Sequence, residues 1–133
     1  MAPHVFVESL SIESIRQAAK LYRTTDLPEK LSRYHGRCVD STFWGWNDIW
    51  LHEDFRAWNI ESYLPDINVP VLLLQGVQDQ YGTLAQLEAI ESQVSGFSES
   101  HLIQDCGHAP YRDQSETVLK FCRRFIDTLI SAG

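Results

Sequence analysis

Two apolar runs, each followed by a turn and a polar side chain, constrain most strongly how this chain of 133 residues folds. The first run, residues 69–75, ends in a glycine turn, and Asp79 comes just after it. The second, residues 99–104, leads through another glycine to His108. Both runs predict short strands, the first of them buried. Because a strand–helix–strand unit lays its strands side by side, we expect Asp79 and His108 to be neighbours at the strand ends.

The residues around this pair resemble the C-terminal end of an α/β-hydrolase. Gly76-Val-Gln-Asp79 resembles the turn that carries the acid of the family's Ser-Asp-His triad, and Gly107-His108-Ala-Pro110 resembles the setting of its histidine. The resemblance implies that the carboxylate accepts the imidazole N–H and that the imidazole shuttles the nucleophile's proton. It also implies a small acyl substrate with an ester, thioester or related bond.

The resemblance covers nearly the whole chain and implies an α/β fold. A helical lid segment would precede a β-α-β-α unit, as in the C-terminal half of an α/β-hydrolase fold. Residues 1–65 would be the end of a core strand and the lid (cap) region, and residues 66–133 the C-terminal part of the core. Helical periodicity supports the lid, since the apolar positions between Ile12 and Tyr22 share one face of a helix opened by Ser11.

Local signals predict two further helices. Thr83 and Gln86 have the spacing of a capping box, which predicts a helix between the two strands. Residues 113–116 predict the start of a final helix with one apolar stripe. The stripe that we expect to face the core comprises Val118, Cys122, Phe125, Ile126, Leu129 and Ile130.

The nucleophile of the family is missing from these residues. The chain contains no Gly-x-Ser-x-Gly, and Ser41, Ser95 and Ser98 lack the paired glycines of a strained elbow. We therefore expect the C-terminal portion of a serine hydrolase, truncated or split and inactive alone, so whether this chain is itself an enzyme stays open. The alternatives are a non-catalytic interaction module and a split enzyme completed by a separate N-terminal half.

Other residues compete for functional roles. Asp105 is a rival acid, but it lies too near His108 in sequence to approach the ring from a neighbouring strand. Cys106 fits a small apolar core residue better than a reactive thiol, because adjacent strand residues point to opposite faces. Trp44 lies off the apolar stripe of a tryptophan-rich segment, so it is the candidate to face a substrate, with lid packing as the alternative.

We expect neither a metal nor a cofactor. The cysteine and histidine pairs His35-Gly-Arg-Cys38 and Cys106-Gly-His108 do not match the usual spacings of zinc ligands.

Charge and cysteine content limit the partners. A net charge of −7 argues against nucleic acid, and no apolar run approaches the roughly 18 residues of a membrane-spanning helix. Three widely spaced cysteines fit reduced thiols in the cytoplasm. Strand 69–75 would have an open edge in a two-stranded sheet, so we expect a homo-oligomer, most simply a dimer, or pairing with the missing N-terminal half.

Overall fold

The computed structural model describes residues 1–132, the side chain of Ala132 excepted, and most of these residues are helical. The α-helices are Ser9–Thr24 (α1), Leu27–His35 (α2), Val39–Leu51 (α3), Leu84–Gln93 (α4), Pro110–Asp113 (α5) and Ser115–Ala132 (α6). Short 3-10 helices lie at Gly36–Cys38, Glu53–Ala57 and Glu61–Asp66. The strands are Val71–Gly76 (β1) and Ser98–Ile103 (β2). No helix among residues 1–132 is long and apolar enough to cross a membrane.

The prediction of an α/β fold is wrong. Helices dominate residues 1–132, and the sheet in this part of the chain is a single small one of two parallel strands. No β-α-β-α unit of a hydrolase core is evident there. The physical reason is that strand-like patterning is confined to two short runs, whereas helical periodicity governs the segments before and after them. Two strands bury too little surface to organise a core, so helices supply most of it.

The two strands run parallel and in simple register, from Val71 opposite Ser98 to Gly76 opposite Ile103. Strand β1 begins two residues later than predicted, because Pro70 has no amide hydrogen to donate to a ladder. The first inter-strand bond comes instead from the amide of Val71 to the carbonyl of Phe97, at 2.8 Å. Parallel strands place their carboxyl ends at the same edge, so the loops that follow β1 and β2 meet there.

Two compact units make up the structure. Residues 7–58 form one, here called the helical unit, and residues 1–6 together with those from Asn59 onward form the other, here called the sheet unit. In the helical unit Tyr22 stacks on Phe43 with ring centroids 3.9 Å apart. The buried side-chain amide of Asn47 donates to the carbonyl of Ile15 at 3.0 Å and fastens α3 to α1.

In the sheet unit, apolar layers cover both faces of the small sheet. Neighbouring strand residues point to opposite faces, so Leu73 and Leu74 enter different layers. The cluster that contains Leu73 also comprises Val5, Leu64, Leu87 and Ile90. The cluster that contains Leu74 also comprises Ile103, Cys106 and Val118. The sheet is therefore held between α4 on one side and α6 on the other.

The predicted N-terminal cap of α4 forms at Thr83. The hydroxyl of Thr83 caps the helix by accepting from the amide of Ala85 at 3.2 Å. The side chain of Gln86 reaches the first residues of the chain, where it accepts from the amide of Val5 at 2.8 Å and donates to the carbonyl of Phe6 at 3.1 Å. A buried amide side chain thus fixes the N-terminal segment to α4.

The predicted stripe of α6 is partly wrong. Val118 and Phe125 are buried as expected, but Ile126 and Ile130 are exposed. Phe121, outside the predicted stripe, stacks on His101 of β2 with centroids 4.0 Å apart. Two strands about 5 Å apart form a narrow sheet surface, so only one side of the apolar stripe of α6 packs against it.

Candidate active site

Asp79 and His108 lie just beyond the carboxyl ends of β1 and β2, in loops that are tied together. The amide of Gln78 donates to the carbonyl of Cys106 at 2.9 Å, and the amide of Cys106 donates back to the Gln78 side-chain oxygen at 2.9 Å. This reciprocal pair of bonds fixes the distance between the loop that carries the acid and the loop that carries the histidine.

The structure brings the two predicted site residues into direct contact. Nδ1 of His108 lies 2.9 Å from Oδ1 and 3.0 Å from Oδ2 of Asp79. The Asp79 side chain is only 2% exposed, whereas that of His108 is 36% exposed. The prediction that they lie within hydrogen-bond reach is confirmed, while their catalytic roles stay a prediction.

This contact determines which imidazole nitrogen is available. A carboxylate only accepts, so Nδ1 carries the hydrogen, and in the neutral ring Nε2 is then the acceptor. Among residues 1–132, Nε2 of His108 has no hydrogen-bond partner. A partly exposed imidazole with an open Nε2 can accept a proton from a group that approaches it from outside.

Backbone amides hold the carboxylate in place. The amide of Tyr81 donates to Oδ1 of Asp79 at 2.8 Å, and that of Gly82 approaches the same oxygen at 3.4 Å. A side-chain oxygen that accepts from the amide two residues on is the usual turn chemistry of aspartate. Here the turn also orients the carboxylate toward His108.

Two aromatic rings flank the imidazole of His108, and neither was among the predicted site residues. The Tyr81 ring lies 4.8 Å from it, centroid to centroid, and the His4 ring lies 5.7 Å away. Burial, followed by the charge of Asp79, raises the pKa of the Tyr81 phenol, so the phenol is neutral at neutral pH. An aromatic residue two positions after the acid was a local signal for Tyr81. His4 had none, because tertiary folding alone brings it near.

The rival residues do not take part in this contact. Asp105 is exposed, with a φ of 51°, and its carbonyl accepts from the Gln114 side chain at 3.0 Å. Cys106 is buried in the α6 layer, as expected of an apolar core residue. Burial, with the charges of Asp113 and Asp79, raises the pKa of its thiol and disfavours the nucleophilic thiolate.

The serines considered as nucleophiles lie away from the Asp79–His108 contact or bond to nearby backbone. The hydroxyl of Ser41 donates to the carbonyl of Cys38 at 3.0 Å, and that of Ser95 donates to the carbonyl of Pro65 at 2.7 Å. Ser98 opens β2, at the opposite end of that strand from the loop of His108. No serine of this set is placed as a triad nucleophile.

Trp44 packs within the helical unit. Its ring meets Tyr22 and Phe43 edge-on, at centroid distances of 5.4 and 5.0 Å. The guanidinium carbon of Arg23 lies 4.6 Å from its centroid, within range of a cation–π contact. These contacts give Trp44 a packing role, and a substrate-facing role stays a prediction.

In the part of the chain that the structure describes, no three or more histidine, cysteine, aspartate or glutamate side chains are grouped so as to hold a metal ion. Comparison with known proteins adds no assignment. No protein-family model matches the chain, and no curated protein is found to be similar to it. The likeness to α/β-hydrolases therefore rests on the motifs around Asp79 and His108 and on the contact between them.

Proposed function

We propose that this chain is the C-terminal portion of a serine hydrolase of the α/β-hydrolase family that acts on an ester, thioester or related acyl bond. Asp79 is its triad acid and His108 its general base. One observation carries the proposal: a partly exposed imidazole donates Nδ1–H to a buried carboxylate and leaves Nε2 open. The proposal rests on this pair and its motifs, not on the predicted fold class.

The geometry suits the second and third members of a triad. Asp79 fixes the His108 tautomer with the hydrogen on Nδ1, so Nε2 is the atom that accepts a hydroxyl proton. When that proton arrives, the carboxylate stabilises the imidazolium, and its near-complete burial strengthens the attraction. Nε2 then returns the proton to the leaving group. The serine and the oxyanion donors come from elsewhere.

The 133-residue polypeptide alone is expected to show no serine-hydrolase activity. A base without a nucleophile has no proton to take, and removing a triad nucleophile costs on the order of 10⁶-fold in kcat in a well-studied protease. The pure chain is incubated with an activated aryl ester and with a fluorophosphonate probe. Saturable turnover, or stoichiometric labelling of one serine, contradicts the assignment.

The coding sequence upstream of Met1 distinguishes the proposal from its alternatives. An in-frame Gly-x-Ser-x-Gly segment means that this chain is part of one longer hydrolase. A separate neighbouring gene with that segment means a split enzyme, and its product is co-expressed with this chain and assayed for ester hydrolysis. If neither is found, an interaction module without catalysis becomes the better assignment.

The edge of β1 supports the expected partner. Because Val71 donates to β2, the alternate residues Leu72, Leu74 and Gly76 turn their amides and carbonyls to the other edge. The amide of Ala2 donates to the carbonyl of Leu74 at 2.8 Å, so the first residues cover part of this edge. The uncovered part of the β1 edge can pair with a further strand, which a second copy or the N-terminal half would supply.

We therefore expect the isolated chain to dimerise. Sedimentation at several concentrations measures this, and the expected result is a shift toward twice the monomer mass as concentration rises. A single species of 15.3 kDa at all concentrations, with a cooperative thermal transition, shows that the N-terminal segment protects the edge sufficiently.

A cytoplasmic location completes the proposal. Cys38, Cys106 and Cys122 are free thiols, and no disulfide joins them in the described part of the chain. Free thiols are usual in a reducing compartment.

A further inference from the structure

We propose that Tyr81 is a positioning residue that holds both members of the Asp79–His108 pair, the carboxylate through its backbone amide and the imidazole through its ring. The catalytic meaning of this inference rests on the proposed function. Its structural content does not, since it concerns the tautomer and orientation of His108 in the chain as it stands.

The backbone amide of Tyr81 holds the carboxylate of Asp79. The Tyr81 amide makes the shorter of the two backbone contacts to Oδ1 of Asp79, at 2.8 Å against 3.4 Å for Gly82. A charge-assisted bond from a backbone amide is stronger than one between neutral groups. It fixes the carboxylate without a second side chain and leaves both oxygens facing Nδ1 of His108.

The ring of Tyr81 packs beside the imidazole of His108. The Tyr81 ring lies 4.8 Å from the His108 ring at an interplanar angle of 52°, and it is the nearer of the two flanking rings. A partly exposed histidine has room to rotate away, and ordering its side chain costs entropy. Packing against the Tyr81 ring therefore adds to the hydrogen bond in keeping the imidazole in the paired orientation.

The same turn sets both contacts. Because the Tyr81 amide is bonded to Asp79, the backbone that carries the Tyr81 ring is held beside the carboxylate. The phenol, whose pKa is raised by burial and by the charge of Asp79, stays neutral and adds no charge beside the pair. The contact with His108 belongs to the ring, so Tyr81→Phe, which keeps the ring, is expected to keep the paired orientation.

Nitrogen-15 NMR of the His108 ring in the 133-residue chain at neutral to alkaline pH tests this directly. In the original chain the neutral ring is expected mostly as the Nδ1–H tautomer, with a slowly exchanging Nδ1 proton. Tyr81→Phe is expected to keep both signatures. Tyr81→Ala keeps the backbone amide but removes the ring, and it is expected to move most of the population to the Nε2–H tautomer and to lose the slow proton.

Tyr63→Ala is the matched control, because it removes a 67% exposed tyrosine of the same unit, and it is expected to leave the His108 signals unchanged. A folded Tyr81→Ala chain that keeps the original tautomer overturns the inference. If Tyr81→Ala does not fold, Tyr81→Leu decides, since it keeps apolar bulk without a flat ring. A reduced Nδ1–H population supports the inference, and an unchanged population refutes it.

The two proposals fail separately in this design. The NMR result needs no nucleophile, so it stands even if no completed hydrolase is ever active. Conversely, an active completed enzyme whose His108 tautomer is indifferent to Tyr81 supports the proposed function and refutes the positioning role.

Discussion

Replacing His108 with alanine is expected to lower kcat/KM of the completed hydrolase by on the order of 10⁴-fold or more. Here the completed hydrolase means this chain together with the segment that carries the nucleophile, in one polypeptide or as a co-expressed partner. The reason is that Nε2 of His108 is the open acceptor next to a buried carboxylate, so its loss leaves the nucleophile protonated. Initial rates with an activated aryl ester measure the effect.

Asp79→Asn is expected to lower the activity of the completed hydrolase by changing the tautomer of His108, because the proton acceptor itself remains in place. The amide removes the negative charge that fixes Nδ1–H and stabilises the imidazolium, and the same substitution lowers kcat by about 10⁴-fold in a well-studied protease with a Ser-His-Asp triad. Because the variant is nearly isosteric, a change in activity with an unchanged thermal transition identifies a chemical rather than a structural effect.

Two matched variants provide the controls. Asp105→Asn makes the same substitution in the exposed rival acid, and His101→Ala removes a histidine of β2 that pairs with Glu99 at 2.5 Å instead of Asp79. Both are expected to retain activity within a factor of about three, because among residues 1–132 neither side chain bonds to Asp79 or His108. Retention of activity within tenfold by His108→Ala contradicts the triad assignment.

Features with short-range causes were predictable from the sequence. The apolar positions of α1 are buried as the helical period requires, among them Ile12, Ile15 and Tyr22. The contact between Asp79 and His108 was also predictable, since two strands joined by one helix run parallel and bring their following loops to one edge. Each inference needed only local patterning and one rule of chain connection.

The balance between helix and strand was not predictable in the same way. The sequence predicted two strands, and two parallel strands are present, but the α/β class that was based on them is wrong because helices dominate residues 1–132. Because the sheet is only two strands wide, it does not cover the whole apolar stripe of α6, and Ile130 is 73% exposed. Long-range polar contacts were not predictable either, as when the side chain of Gln86 accepts from the amide of Val5.

Gly76→Ala is expected to destabilise the fold by about 3 kcal/mol, near the upper end for overpacking, and to lower the Tm by roughly 10 °C. A Cβ at this position would lie 2.1 Å from the Cys106 carbonyl oxygen and 2.3 Å from that of Gly107. Both are backbone atoms, so the loop that leads to His108 must move as a whole. Thermal unfolding measures the stability, and the NMR tautomer of His108 reports the separation of the pair.

Two other glycines distinguish a local effect from a general one. Gly96→Ala meets the carbonyl oxygen of Val69 at 2.3 Å, so it is expected to lower stability while leaving the His108 tautomer intact. Gly45→Ala meets nothing within 4 Å in the middle of α3, so it is expected to raise stability by about 0.5–1 kcal/mol. If Gly76→Ala leaves both the Tm and the tautomer unchanged, the close approach of the two loops does not hold Asp79 and His108 together.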